Sequence, residues 1–423
     1  MPDMISYGAV VSACEIGGHW EIALCIIRGM EKSKMLPNVI VYSAAISTCV
    51  KYENWTLAFA LMAEMRQRNL EPNLVTHSIV ITACEKGSLW SHALDSLDDM
   101  RLRGLEVGVI SYSAVVSACE KGEQWLHAVE SLGIMQEHRI SPNVVTYSAA
   151  ISACEKSQEW KVVLVLLCDL GREGLQPNIV TYSSAISACE KCAQWEWALA
   201  LLDEMQEQRL VPNAITYNAA ITACEKGAQW ELALGMLTEM QEQMQKRYFE
   251  GGVSTYNAAI SACDSAQKWA GAFALLDTIR QDGVEPDVIS YCTVINAREQ
   301  GKRWERALEV LNEMRGKRTR PDVSTFNSVV HVCEKADNWD LSLRLLERIK
   351  HEGLSLTITS CSSSATACER TLHWEWALEL FCEAQRAYLQ PSLITYNAAF
   401  NACRRGGRIE EASSMLDELR QLA

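Results

Sequence analysis

The chain has 423 residues, 48% of them hydrophobic and 22% charged, with a formal net charge of -14. No apolar run approaches the roughly 18 residues of a membrane span, so the sequence predicts no transmembrane helix and no membrane partner. The acidic balance argues against indiscriminate attraction to a polyanion, so any nucleic-acid binding has to rest on local charge.

Internal periodicity dominates the chain. Trp20, Trp55, Trp90, Trp125, Trp160, Trp195 and Trp230 are each 35 residues apart, and Trp269, Trp304, Trp339 and Trp374 resume the spacing after one 39-residue step. A four-residue insertion within 241–252 accounts for that step. Cysteines keep the same period at Cys14, Cys49, Cys84, Cys119, Cys154, Cys189, Cys224 and Cys263, then at Cys333, Cys368 and Cys403, with Arg298 in the one gap. Such self-similarity marks a solenoid of stacked repeats, each too small to bury its apolar face alone. Eleven of the 17 cysteines therefore occupy one register, too far apart to pair, and read as small buried hydrophobes in a reducing compartment.

Twelve repeats start at Met4, Val39, Leu74, Val109, Val144, Ile179, Ala214, Val253, Val288, Val323, Ile358 and Leu393. Residues 1–3 read as the tail of an earlier repeat, 4–423 as a single solenoid domain, and the twelfth repeat as incomplete. This suggests a truncated chain whose missing ends held any targeting peptide or added domain. Within a repeat, Tyr147, Ala150, Ile151 and Cys154 lie at i, i+3, i+4 and i+7, which predicts an amphipathic helix A. Trp195, Ala198, Leu199, Leu202 and Met205 predict a helix B of about three turns, anchored by its tryptophan against the neighbouring helix. Glycine often separates the two (Gly17, Gly87, Gly122, Gly227, Gly301, Gly406), as expected for a left-handed helix end. Helix B is expected to stop ahead of Pro37, Pro72, Pro142, Pro177, Pro212, Pro286, Pro321 and Pro391. Small pairs such as Ala149-Ala150 and Ala219-Ala220 allow close helix approach. The predicted fold is all-α, a right-handed α-solenoid of about 12 helix-turn-helix repeats.

Val-Thr-Tyr-Ser or Thr-Tyr-Asn openings, Ala198-Leu199, Glu204-Met205 and Pro212-Asn213 at a 35-residue period resemble the pentatricopeptide repeat family over essentially the whole chain. The tetratricopeptide alternative does not explain the Pro-Asn and Pro-Asp endings. The resemblance implies binding of single-stranded RNA in a chloroplast or mitochondrion, one base per repeat, in RNA processing, stability or translation, with other RNA-processing proteins as further partners. It places base readout at the fifth and last residues of each repeat: Ser43 with Asn73, Ser78 with Gly108, Ser113 with Asn143, Ser148 with Asn178, Ser183 with Asn213, Asn218 with Gly252, Asn257 with Asp287, Cys292 with Asp322, Asn327 with Thr357, Ser362 with Ser392, and Asn397 in the last repeat. Aliphatic second residues (Ile40, Val75, Ile110, Val145, Val180, Ile215, Ile289, Ile394) would sandwich bases; Ser254, Ser324 and Thr359 break that pattern. Lysines at position thirteen (Lys51, Lys86, Lys121, Lys156, Lys191, Lys226, Lys335), with Arg370 and Arg405, would face phosphates.

The chemistry of these residues fits that assignment. A carboxylate such as Asp287 only accepts, which suits the ring N–H of uracil or guanine. An amide such as Asn178 both donates and accepts, which suits adenine or cytosine. Serine leaves room for a purine, whereas asparagine favours a pyrimidine. The other reading of the same residues is helix capping. Glu85, Glu120, Glu155, Glu190, Glu225 and Glu334 directly precede the lysines on the same face and oppose phosphate attraction, which favours an alternative function as a protein-binding helical-repeat scaffold. The lone pair Cys189 and Cys192 has no second ligand pair, and no Walker-type glycine loop or zinc-protease histidine spacing occurs. The sequence predicts no metal, no cofactor, no small-molecule substrate and no catalytic activity of its own.

Overall fold

The computed structural model describes residues 4–17, 19–32, 35, 37–244, 252–266, 268–296, 304–317, 319–387 and 389–408. Among these, 23 helices alternate as A and B from Met4–Gly17 to Leu393–Arg405, with no strand. The second helix of repeat twelve falls outside the described residues. The chain divides into two compact bodies, Met1–Ala220 and Ile221–Ala423, and each is built from the same hairpin. No described helix is long and apolar enough to cross a membrane.

Repeat five shows how the hairpin forms. Helix A, Val144–Lys156, opens at Asn143, whose side-chain oxygen accepts the Thr146 amide proton at 2.9 Å, satisfying one of the orphan donors of a helix start. Its apolar stripe of Tyr147, Ala150, Ile151 and Cys154 is buried completely or nearly so, as the spacing predicts. The alanines keep neighbouring backbones close, and Tyr147 fills the remaining space; burying an aromatic of this size contributes about 1.5 to 3 kcal/mol. Burial also pushes the thiols up, Cys154 and Cys189 to about 12, so these cysteines stay protonated and behave as apolar filler.

Four expectations about local structure need correction. The left-handed residue between helices is not the glycine but the residue after it: Ser88, Glu123 and Ala228 have φ near +55°, whereas Gly122 has φ -87°. Glycine is favoured at 122 for space, since a Cβ there would lie 2.4 Å from the Trp90 ring of the preceding repeat. Helix B does end ahead of the proline, as expected, but the cause differs: a left-handed residue turns the chain first. Trp55–Gln67 ends three residues after Glu64, and Asn69 at φ +54° turns the chain upstream of Pro72; Gly104, Arg139, Gly174 and Arg209 do the same in their repeats.

The third correction concerns tryptophan. In the ten periodic tryptophans whose side chains are described, the ring is half-buried; Trp55, Trp90 and Trp374 lie against the end of helix A of the next repeat, at Gly87, Gly122 and Gly406. The deepest anchors are the fourth residues, Tyr42, Tyr112, Tyr147, Tyr182, Tyr217, Tyr256, Tyr291 and Phe326. Fourth, in Trp195–Glu207 it is Leu201 that is buried with Ala198, Leu202 and Met205, while Leu199 is half-buried. At the insertion, helix B extends to 15 residues, Trp230–Met244, against 13 elsewhere in most repeats; the rest of the insertion, 245–251, lies outside the described residues.

Candidate nucleic-acid interface

The fifth and last residues of a repeat meet through a residue of the next repeat that sequence reasoning missed. Ser148 Oγ lies 2.7 Å from Thr181 Oγ1, and the Thr181 hydroxyl donates to Asn178 Oδ1 at 3.0 Å. Asn178 Oδ1 also accepts from the Thr181 backbone amide at 2.9 Å. Ser43, Thr76 and Asn73 form the same chain of contacts, as do Ser113, Thr146 and Asn143, and Ser183, Thr216 and Asn213. All four threonines are fully buried. The periodic Thr-Tyr pair was the available signal, but a hydroxyl at that position looks like an ordinary helix-start residue.

This geometry corrects the chemistry expected of the amide. A backbone N–H can only donate, so the Asn178 atom facing it is the carbonyl oxygen, and that oxygen is already engaged twice. What remains for the exposed side of Asn73, Asn143, Asn178 and Asn213 is the NH2 group, a donor and not a donor-acceptor pair. Capping and presentation are one arrangement here, not competing roles. The serines differ in access: Ser43 and Ser148 are buried, Ser113 and Ser183 half-buried.

Aspartate uses the same cradle. Asp287 Oδ1 accepts from the Ser290 backbone amide at 2.8 Å, the Ser290 hydroxyl at 2.9 Å and Asn257 Nδ2 at 3.1 Å. Asp322 Oδ1 takes the Thr325 amide and hydroxyl, both at 2.8 Å, and Cys292 Sγ occupies the serine place 3.2 Å from Thr325 Oγ1. With one carboxylate oxygen committed to the cap, the other is the variable group. An asparagine thus offers N–H where an aspartate offers an acceptor oxygen.

Other positions depart from the pattern. Ser78 is paired with Gly108, which makes no side-chain cap; its hydroxyl donates to Leu74 O, as the hydroxyls of Ser43, Ser113 and Ser148 do to Val39 O, Val109 O and Val144 O. Asn218 is half-buried and is followed at the repeat end by Gly252. Asn327 is tied up within the protein, donating to Thr359 Oγ1 and accepting from Thr357 Oγ1, both at 3.2 Å. Asn397 is exposed on the last described helix A.

Beside this row runs an apolar stripe. Ile40, Val75, Ile110, Val145, Val180, Ile215 and Ile289 are 56% to 83% exposed, although the aliphatic side chains at positions seven and eight of these helices, such as Ile46, Val80, Ile81, Val115, Val116 and Ile151, are core. A regular series of exposed aliphatics marks a contact surface. The lysines form a third row. Lys121, Lys156 and Lys191 pair with Glu85, Glu120 and Glu155 of the preceding repeat at 3.8, 3.3 and 3.1 Å, and Arg370 and Arg405 pair with Glu334 and Glu369 in the same way. Lys51, Lys86, Lys226 and Lys335 are exposed at the equivalent position. The glutamates thus link successive repeats in a ladder. Exposed pairs of this kind contribute about 0 to 1 kcal/mol, little enough for a phosphate to compete with the carboxylate. No group of three or more metal-ligating side chains occurs among the described residues.

Stacked helical hairpins of fixed period define an α-helical repeat protein. Models of the PPR repeat family match residues 37–86, 142–191 and 177–226, the pentatricopeptide repeat domain matches 1–52, 96–157 and 274–336, and the PPR repeat matches 75–105, 215–243, 324–354 and 394–422. The chain belongs to the pentatricopeptide repeat family. Among solved structures, the maize pentatricopeptide repeat protein PPR10 aligns with 100% of this chain and 74% of its own, at 19% identity and a TM-score of 0.43. PPR10 in complex with an 18-nt psaJ RNA element aligns over 99% and 59%, at 22% identity and a TM-score of 0.46. The PPR domain of Arabidopsis thaliana protein-only RNase P 1 in complex with tRNA covers 38% of this chain and 86% of its own, at 16% identity and a TM-score of 0.36. A comparison with curated proteins gave no match.

Proposed function

We propose that the protein binds single-stranded RNA sequence-specifically, one base per repeat, with 4–423 acting as one array. The observation that carries this reading is the recurring junction in which a capped asparagine or aspartate holds one polar group outward beside an exposed aliphatic stripe. An outward NH2 complements the ring acceptor of adenine or cytosine, and an outward carboxylate oxygen complements the ring N–H of guanine or uracil. A small fifth residue leaves room for a purine. Repeats two, four, five and six therefore select adenine, and repeat eight, with Asn257 and Asp287, selects uracil, with the RNA running 5′ to 3′ along the chain. Exposed Ile and Val side chains separate successive bases, and the lysine row meets phosphates.

Family membership supports a place in chloroplast or mitochondrial RNA processing, stability or translation, alongside other RNA-processing proteins and without catalytic activity of its own. The Glu–Lys ladder favours one competing reading, a peptide-binding scaffold. Selection from a randomised RNA pool distinguishes them: adenine enrichment is expected opposite repeats four to six, and double-stranded RNA as the best ligand defeats the proposal. Asn178→Asp should move the repeat-five preference from adenine toward guanine. Lys156→Ala should weaken all RNA sequences equally and reduce the salt slope by about 0.7. If Asn178→Asp leaves base preference untouched and Glu155→Lys fails to strengthen RNA binding, the scaffold reading takes over.

A further inference from the structure

We infer that the buried third-residue hydroxyl of a repeat, as in Thr76, Thr146, Thr181 and Thr216, is a positioning group that sets base choice in the repeat before it, an inference that rests on the RNA-readout reading above. Thr181 is the example. Its hydroxyl stands between Ser148 and Asn178, at 2.7 Å from the one and 3.0 Å from the other, in a site closed to solvent. The two side chains proposed to read a base come from different places, one from the body of helix A and the other from the loop before the next helix A. Thr181 ties them together and supplies the second of the two donors that hold Asn178 Oδ1 inward.

The internal repeats separate this role from helix capping. Position three is Ser or Thr in eleven of the twelve repeats, and the exception is Val41. At that junction Asn38 still caps, accepting from the Val41 amide at 3.0 Å, so the cap does not need the hydroxyl. What Val41 lacks is something to bridge, because the fifth residue of the preceding repeat is Gly8. Where the fifth residue is Asn257 the bridging role is kept by a serine, with the Ser290 hydroxyl reaching Asn257 Oδ1 at 2.6 Å and Asp287 Oδ1 at 2.9 Å. The hydroxyl thus accompanies a polar fifth residue, not the fold of the hairpin.

An asparagine amide has two faces of opposite hydrogen-bonding sense, and only its orientation decides which one a base meets. Removing the Thr181 hydroxyl leaves Oδ1 with the backbone donor alone and lets the amide turn its oxygen outward. The outward oxygen accepts from guanine N1–H, where the NH2 group donates to adenine N1.

The test uses the full chain and four single-stranded RNAs that differ only at the base opposite repeat five, in a background taken from the random-pool selection. Thr181→Val should keep the helical content and unfolding midpoint close to native, as Val41 does at its own junction. The adenine-over-guanine preference should fall about fivefold, the equivalent of one neutral hydrogen bond, and Thr181→Ser should restore it. Thr216→Val makes the same exchange at repeat six and serves if Thr181→Val fails to fold. An unchanged preference, or an equal loss of affinity for all four bases, overturns the positioning role while leaving base readout intact. A native protein with no preference at that base overturns the readout reading, and this inference with it.

Discussion

The junction between repeats five and six and the junction between repeats three and four share a backbone and differ in the polar side chain that caps the incoming helix A. At the first, Asn178 caps helix A of repeat six, Thr181 bridges to Ser148, and Tyr182 donates its buried hydroxyl to Glu204 at 2.9 Å. At the second, Gly108 provides no side-chain cap for helix A of repeat four; one junction earlier, the fourth residue of repeat three is a fully buried histidine, His77, whose ring nitrogens have no hydrogen-bond partner. Its Nε2 lies 3.5 Å from Asp99, an approach that becomes an ion pair only when the imidazole is protonated and is not a hydrogen bond. Yet helix A of repeat four, Val109–Lys121, has the same length as its counterpart Ile179–Lys191 and buries Tyr112, Val115, Val116 and Cys119 as completely. Stacking therefore needs the apolar stripe and does not need the polar junction. Groups that the fold can do without, and that recur in register on an exposed face, are the ones to test for ligand recognition.

The largest effect expected from this comparison lies in the shared apolar element. Tyr182→Ala should cost about 3 to 5 kcal/mol in chemical denaturation, the range for truncating a buried large aromatic, and His77→Ala should cost less. Equal losses would show that repeat three is anchored as well as repeat six.

Exchanging the histidine for the consensus tyrosine should move stability the other way. His77→Tyr removes two unpartnered buried nitrogens and should stabilise by about 1 to 3 kcal/mol, seen as a raised thermal midpoint. A pH dependence should disappear with it. Burial lowers the His77 pKa below its ordinary 6.5, with Asp99 raising it in partial compensation and Arg66 and Arg103 lowering it further. The unfolded chain then binds the proton more readily than the folded one. The contribution of neutral His77 is complete above about pH 6.5 and declines as the pH falls through the folded value. Thermal midpoints across pH 5 to 8 should fall on the acid side more steeply for the native protein than for the variant; parallel curves would exclude His77 as the source.

A smaller loss is expected at Gly122. Its absent Cβ leaves room for the Trp90 ring, so Gly122→Ala should force that ring outward and cost about 1 kcal/mol, the low end of overpacking. Ser157 occupies the matching place in repeat five, and Ser157→Ala should be close to neutral by the same measurement. The smallest change in stability, and the most direct test of the comparison, is Gly108→Asn. It should add only a few tenths of a kcal/mol as a cap, while giving repeat three, with Ser78, an adenine preference in RNA binding. A variant that caps without acquiring that preference would mean that Ser111 does not position the new amide as Thr181 positions Asn178.

Much of this was readable from sequence because each repeat restates the same burial requirement. Tyr147, Ala150, Ile151 and Cys154 fell on one face by spacing alone, and all four are core. The fifth and last residues were legible as a pair through family resemblance, and the structure brings Ser148 and Asn178 to opposite sides of one threonine. The threonine itself was not, because a hydroxyl near a helix start has an ordinary local explanation. Nor was the glutamate's partner: Glu120 precedes Lys121 in sequence but pairs with Lys156 of the next repeat.

The sequence by itself determined the period, the two-helix unit, the apolar stripe and the chemical identity of the groups placed once per repeat. Those properties follow from local spacing and burial, which every repeat encodes afresh. Tertiary structure decided which tryptophan needs which glycine, which carboxylate meets which lysine, and which face of the asparagine amide turns outward. The first two rest on contacts between residues some 32 to 36 positions apart, on adjoining hairpins; the third rests on Thr181, three residues from Asn178, which also reaches Ser148, 33 positions away. A pattern within one repeat fixes where such a group stands, and only the neighbouring repeat, by supplying a donor, an acceptor or a clash, fixes how it is oriented.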